Sequence, residues 1–133
     1  MMFLSVLSDL QKMAFLDLAD QAIRADGRIA SEELALLETM KREMALPSTV
    51  LPQGKGLSEA ANAFDTRASK VAALLELIGL GLADGHLRNT ENDFLEKVVS
   101  IFGVSLQDFE TMKQWVARQV ALVSEANLMM QEG

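Results

Sequence analysis

Asp26 and Glu33 recur 58 positions downstream as Asp84 and Glu91. Each pair sits in the pattern A-D-G-x-[IL]-x-x-x-E, with Ile29 and Leu87 at the apolar position. Carboxylates are hard oxygen donors that suit calcium, magnesium or manganese. The spacing invites comparison with an EF-hand calcium loop, whose sixth residue is Gly and whose twelfth is a bidentate Glu. Aligning Gly27 or Gly85 with that glycine puts Asp26 or Asp84 fifth and Glu33 or Glu91 twelfth. The first and third ligand positions are then Ala22 and Arg24 in one copy, and Leu80 and Leu82 in the other. Neither turn is an EF-hand; each carries half a ligand set. If the turns meet, Asp26, Glu33, Asp84 and Glu91 surround one cavity as a divalent metal site. Carboxylates crowded together without a cation repel and raise at least one pKa, which would drive metal capture. The plainer alternative is turn-and-cap duty: Asp bonds amides two residues on, and Glu suits a helix N-terminus. An Asp at the end of the preceding helix opposes the helix dipole, however, and here it occurs twice.

The elements that must position these acids also repeat. Leu16 matches Leu74, Leu37 matches Leu95, Met40 matches Val98 and Met44 matches Phe102, so the likeness runs through a whole helix. Each unit reads as helix, tight turn, helix. Leu16, Ala19 and Ile23 mark the apolar face before the first turn; Val71, Leu74, Leu75, Ile78 and Leu82 do so before the second. Gly27 and Gly85 suit the left-handed conformation that ends a helix. Ile29 and Leu87 are expected to tuck into the core. Ala30 and Arg88, three residues before the glutamates, cannot complete a capping box, which leaves Ser31 and Asn89 as the expected caps. Leu34, Leu37, Met40 and Met44, then Phe94, Leu95, Val98 and Phe102, face inward from the second helices.

The expected architecture is all-α: a single-domain helical bundle over residues 1–133, with an internal duplicated helix-turn-helix unit related by a pseudo-twofold. The units cover about 8–46 and 66–104, and the loop 47–56 holds both prolines. A short helix follows near 57–63. A long last helix covers about 106–131, capped by Ser105, with Phe109, Met112, Val116, Val120 and Val123 on one face. Ser8 and Gln11 form a capping box that breaks the first helix near its start. Gly79 and Gly81 imply close approach of another helix, the counterpart in the first unit being expected. Asp17, Asp20, Lys41, Arg42 and Glu43 are assigned to solvated faces. Glu76 reads as a rim residue or a partner for Arg or Lys, and Trp115 as core packing ahead of a partner-binding anchor.

Composition narrows the partners. The net charge is -7, so phosphate repulsion excludes nucleic acid and disfavours an anionic membrane surface. The chain has no cysteine and one histidine, His86, an exposed turn residue, so thiolate sites, His-based metal triads and Ser-His-Asp chemistry cannot be assembled. The longest apolar stretch, 71–83, is interrupted by Glu76 and cannot span a bilayer. A cytoplasmic location and no membrane insertion follow as expectations. Neither Gly79-x-Gly81 nor Gly54-Lys55-Gly56 completes a nucleotide-binding motif, and no organic cofactor is expected.

At ADGRIASEELALLETM (25–40) and ADGHLRNTENDFLEKV (83–98) the chain resembles the TerB family of bacterial tellurite-resistance domains. The likeness extends over roughly Leu10 to Val116. It departs at Ala30 and Arg88, where small hydroxyl residues are usual, and at Thr90, where a second acid would match Glu32. The resemblance implies an all-helical TerB-like domain with an acidic, metal-binding face, a role in stress response such as tellurite resistance, and no enzymatic activity. Protein partners are expected but unidentified. The alternatives are a protein-interaction or scaffold module with no metal site, and a metal-assisted hydrolase.

Overall fold

The computed structural model describes residues 3–25, 27 and 29–131. After a 3-10 turn at Leu4–Val6, six α-helices follow: α1 Asp9–Arg24, α2 Ser31–Glu43, α3 Leu57–Ala61, α4 Arg67–Gly81, α5 Asn89–Phe102 and α6 Leu106–Gln131. Among the described residues there is no strand, and the fold is all-α. Helix α1 starts where Ser8 and Gln11 cap reciprocally: the Gln11 N–H donates to Ser8 Oγ at 3.2 Å and the Ser8 N–H to Gln11 Oε1 at 2.9 Å. Thr66 caps α4, accepting the Ser69 N–H at 3.1 Å.

Helices α1 and α4 occupy the centre. Ala14, Phe15, Leu16, Leu18, Ala19 and Ile23 are buried along α1; Ala73, Leu74, Leu77, Ile78 and Leu80 are buried along α4. These positions circle each helix rather than forming one stripe, as a helix surrounded by others requires. Helix α4 touches α1, α2, α5 and α6, so it is the hub of the bundle. Phe64, just after α3, packs against Phe102 at the end of α5, with ring centroids 5.4 Å apart. No helix among the described residues is long and apolar enough to cross a membrane.

Several side chains depart from their expected places. Asp17 is buried, not solvated, because the loop between the units folds over α1: the Gly54 N–H donates to Asp17 Oδ1 at 2.9 Å. Gln21 Nε2 pins the same loop through the Lys55 carbonyl at 2.8 Å. Lys41 is buried too, its stem covered while its ammonium reaches Glu38 at 3.2 Å and the Ser48 carbonyl at 3.4 Å. Among the described residues Glu76 meets neither Arg nor Lys; the Phe3 N–H donates to its Oε2 at 2.9 Å. Burial drives the Glu76 pKa up, and this amide hydrogen bond works against the rise.

Ile29 and Leu34 are about half exposed, since α2 lies at the edge and meets chiefly α4 and the 3-10 turn. Val120 and Val123 are also exposed, because beyond Val116 nothing among the described residues covers that face of α6. Trp115 is 37% exposed and leans on Phe3, so it is a rim aromatic rather than a core one.

Candidate functional site

Both turns use glycine where the backbone demands it: φ is +72° at Gly27 and +98° at Gly85, a region closed to most side chains. The chain then re-enters helix through Ala30 and Arg88, both in extended conformation, so Ser31 and Asn89 are first helical residues and not caps. Neither Ala30 nor Arg88 has a side chain able to accept an amide hydrogen. Half of a capping box nevertheless forms at each end. The Ala30 N–H donates to Glu33 Oε1 at 3.4 Å, and the Arg88 N–H donates to Glu91 Oε1 at 3.2 Å. This back-reach turns each carboxyl inward, and the two glutamates are only 4% and 5% exposed.

The inward turn brings the units together. Glu33 and Glu91 lie side by side, close enough for their carboxyls to hydrogen-bond when one of them is protonated. The Glu33 pKa is pushed up to about 7. Burial is the largest cause, followed by the hydrogen bond and charge of Glu91; the Asp84 charge adds to the rise and the Ala30 amide opposes it.

Asp84 is otherwise engaged. Its Oδ1 accepts the His86 N–H at 3.3 Å, closing the turn locally, and its Oδ2 lies 3.2 Å from Arg88 Nη1. His86 is exposed, as its position after Gly85 suggested. Asp26 falls outside the described residues. The structure therefore unites Glu33 and Glu91, holds Asp84 within electrostatic reach of Glu33, and ties Asp84 to Arg88.

Gly81 makes room for the pair. A Cβ placed there would stand 2.6 Å from Leu87 Cδ1 and 3.6 Å from Glu91 Oε2. The close approach is thus to its own following turn, not to the first unit. Leu87 is half-buried against the core, unlike its counterpart Ile29.

The donor chemistry suits a hard divalent ion: every acid here offers carboxylate oxygen, and burial first, then the neighbouring acids, have lifted one pKa. Two oxygens are held by backbone amides and Asp84 is paired with Arg88, so the fit is partial. Among the described residues, no group of three or more His, Cys, Asp or Glu side chains is arranged to hold a metal. Sequence reasoning passed over Glu76 as a structural centre; the signal was an acid inside an otherwise apolar helical run.

Neither the curated proteins nor the solved structures compared with this chain give a match. The family comparison does. Its matched stretch runs from the loop before α3 into the first third of α6, and so takes in Asp84 and Glu91 but not Glu33. Residues 53–114 match the family model described as Tellurite resistance protein TerB, so this stretch of the chain is similar to that family.

Proposed function

We propose that this is a non-catalytic, TerB-like acidic domain that binds a divalent metal ion (calcium, magnesium or manganese) and acts in a cytoplasmic bacterial stress response such as tellurite resistance. Its ligands would be Glu33 and Glu91, with Asp84 and Asp26 completing the set. We read the two helical units as a duplication whose twin acids converge. One observation carries the reading: buried glutamates from separate turns, 58 residues apart, lie side by side inside the fold. A bound cation would supply the positive charge that a shared proton would supply without it. Glu33 and Glu91 would then give up that proton, and Asp84 would turn from Arg88 toward the site.

Titration calorimetry with each ion near pH 6.5, in two buffers of different ionisation enthalpy, tests this. The expected result is binding that releases close to one proton and is lost in Glu33→Gln and Glu91→Gln. Absence of binding to any of the ions would overturn it. A scaffold role without metal is the second reading, favoured by the apolar face that α6 leaves exposed at Val120 and Val123. A hydrolase reading is weaker: Arg88, a basic group beside the acids, is engaged with Asp84.

A further inference from the structure

Helix α2 and the far half of α6 leave a groove of about 240 Å³ between them, floored by α4. Leu36 and Met40 of α2, Leu82 at the end of α4, and Val120 and Val123 of α6 give it apolar walls. Gly79 leaves its floor bare of side chain. Two acids line it as well, Glu43 and Glu76, and among the described residues no Lys, Arg or His does.

The acids gather at one end. Along α4 the lining runs Glu76, Gly79, Leu82 over about 9 Å, with the acid first. Along α2 it runs Leu36, Met40, Glu43, with the acid last. The two helices pass in opposite directions, because α2 begins where α4 ends: Glu33 lies beside Glu91, and Glu91 lies against Gly81. Glu43 therefore comes toward Glu76, whose carboxyl feels its charge, and Leu36 comes toward Leu82. The groove has an anionic end and a hydrocarbon end.

Glu76 is short of positive charge. It is 2% exposed, and while its Oε2 accepts the Phe3 N–H, among the described residues no donor reaches Oε1. Burial raises its pKa; the Phe3 amide and the charge of the chain's amino terminus oppose the rise without cancelling it, and Glu43 adds to it. A buried carboxylate in that setting is steadied by an added cation.

We propose that the groove binds a small primary alkylamine, with its ammonium set against Glu76 and Glu43 and its hydrocarbon chain along Leu36, Met40, Leu82, Val120 and Val123. Size sets the length: the volume is that of about eight waters, which suits a ligand of about seven or eight non-hydrogen atoms. Charge sets the head group, since two acids in a chain of net charge -7 repel a fatty acid or phosphate ester of the same size. The walls disfavour a polyamine, whose further ammonium groups would lose water against Leu36 and Val123. The inference does not rest on metal binding at Glu33 and Glu91.

Amide NMR of the full chain in EDTA at neutral pH, titrated separately with hexylamine, hexan-1-ol and hexanoate, tests it. Hexylamine should saturate with a Kd below about 1 mM and shift the amides of Gly79, Leu82 and Val120. Hexan-1-ol should bind about 10-fold more weakly or worse, and hexanoate more weakly still. Glu76→Gln keeps an acceptor for the Phe3 N–H but removes the charge, and should bring the amine down to the level of the alcohol. Glu43 is exposed, so Glu43→Gln folds whatever becomes of Glu76→Gln; it should weaken the amine about 3-fold. Circular dichroism checks both variants. Hexan-1-ol binding as tightly as hexylamine would show an apolar groove without a cation site and overturn the proposal. So would an amine preference that survives in folded Glu76→Gln, or an amine affinity untouched by Glu43→Gln. Hexylamine shifts confined to acids outside the groove would overturn it equally.

Discussion

Replacing Glu33 by Gln leaves the shape of the paired turns intact while removing the group that titrates. Gln Oε1 can still accept the Ala30 N–H, and its amide can donate to Glu91 as a protonated Glu33 would. In the folded chain the Glu33 carboxyl is raised from 4.5 to about 7, which makes its ionisation about 3 kcal/mol harder than in the unfolded chain. The folded state holds the proton more tightly, so this stabilisation is complete below pH 4.5 and is lost as pH climbs through about 7. Urea unfolding in EDTA at pH 5, 6, 7 and 8 should show Glu33→Gln gaining on the parent as pH rises. The gain should total about 3 kcal/mol, or roughly 10 °C in Tm for a chain of this size. Comparing the two proteins cancels Glu76, which is also raised and acts in the same direction. Parallel pH profiles would refute the buried shared proton.

Asp17→Ala should cost about 1–2 kcal/mol by removing the acceptor of the Gly54 N–H, and hydrogen exchange at Gly54 should quicken while the α4 core is unchanged. Gly81→Ala gains about 1 kcal/mol of helix propensity but drives Leu87 Cδ1 aside; a net loss of about 1 kcal/mol is expected by thermal melting. Adding Leu87→Ala should turn the same substitution stabilising, measured against Leu87→Ala alone.

Helix positions were legible because period and punctuation agree: Ser8 with Gln11 at one start, Ser105 before α6, prolines in the loop. The internal match led to the expectation that four acids converge; the structure places Glu33 beside Glu91 but ties Asp84 to Arg88. What could not be read depends on which segment packs over which. Asp17 and Lys41 look like surface residues until a loop folds across α1 and the Ser48 carbonyl reaches the ammonium. Ile29 and Leu87 hold matching positions, yet only Leu87 has a neighbouring helix glycine to rest on. The apolar period of α6 runs on past Val116, but a period cannot tell where the supporting helices stop. Ser31 and Asn89 looked like caps because their side chains can accept, whereas the backbone enters helix one residue earlier.

The hydrogen bond from Ala30 to Glu33 ties the entry of α2 to the carboxyl pair. One of the three residues that anchor α2 is therefore the same group that lies beside Glu91. A charged Glu33 accepts the Ala30 N–H more strongly while facing the charge of Glu91, so the entry of α2 is held by a group on which pH pulls both ways.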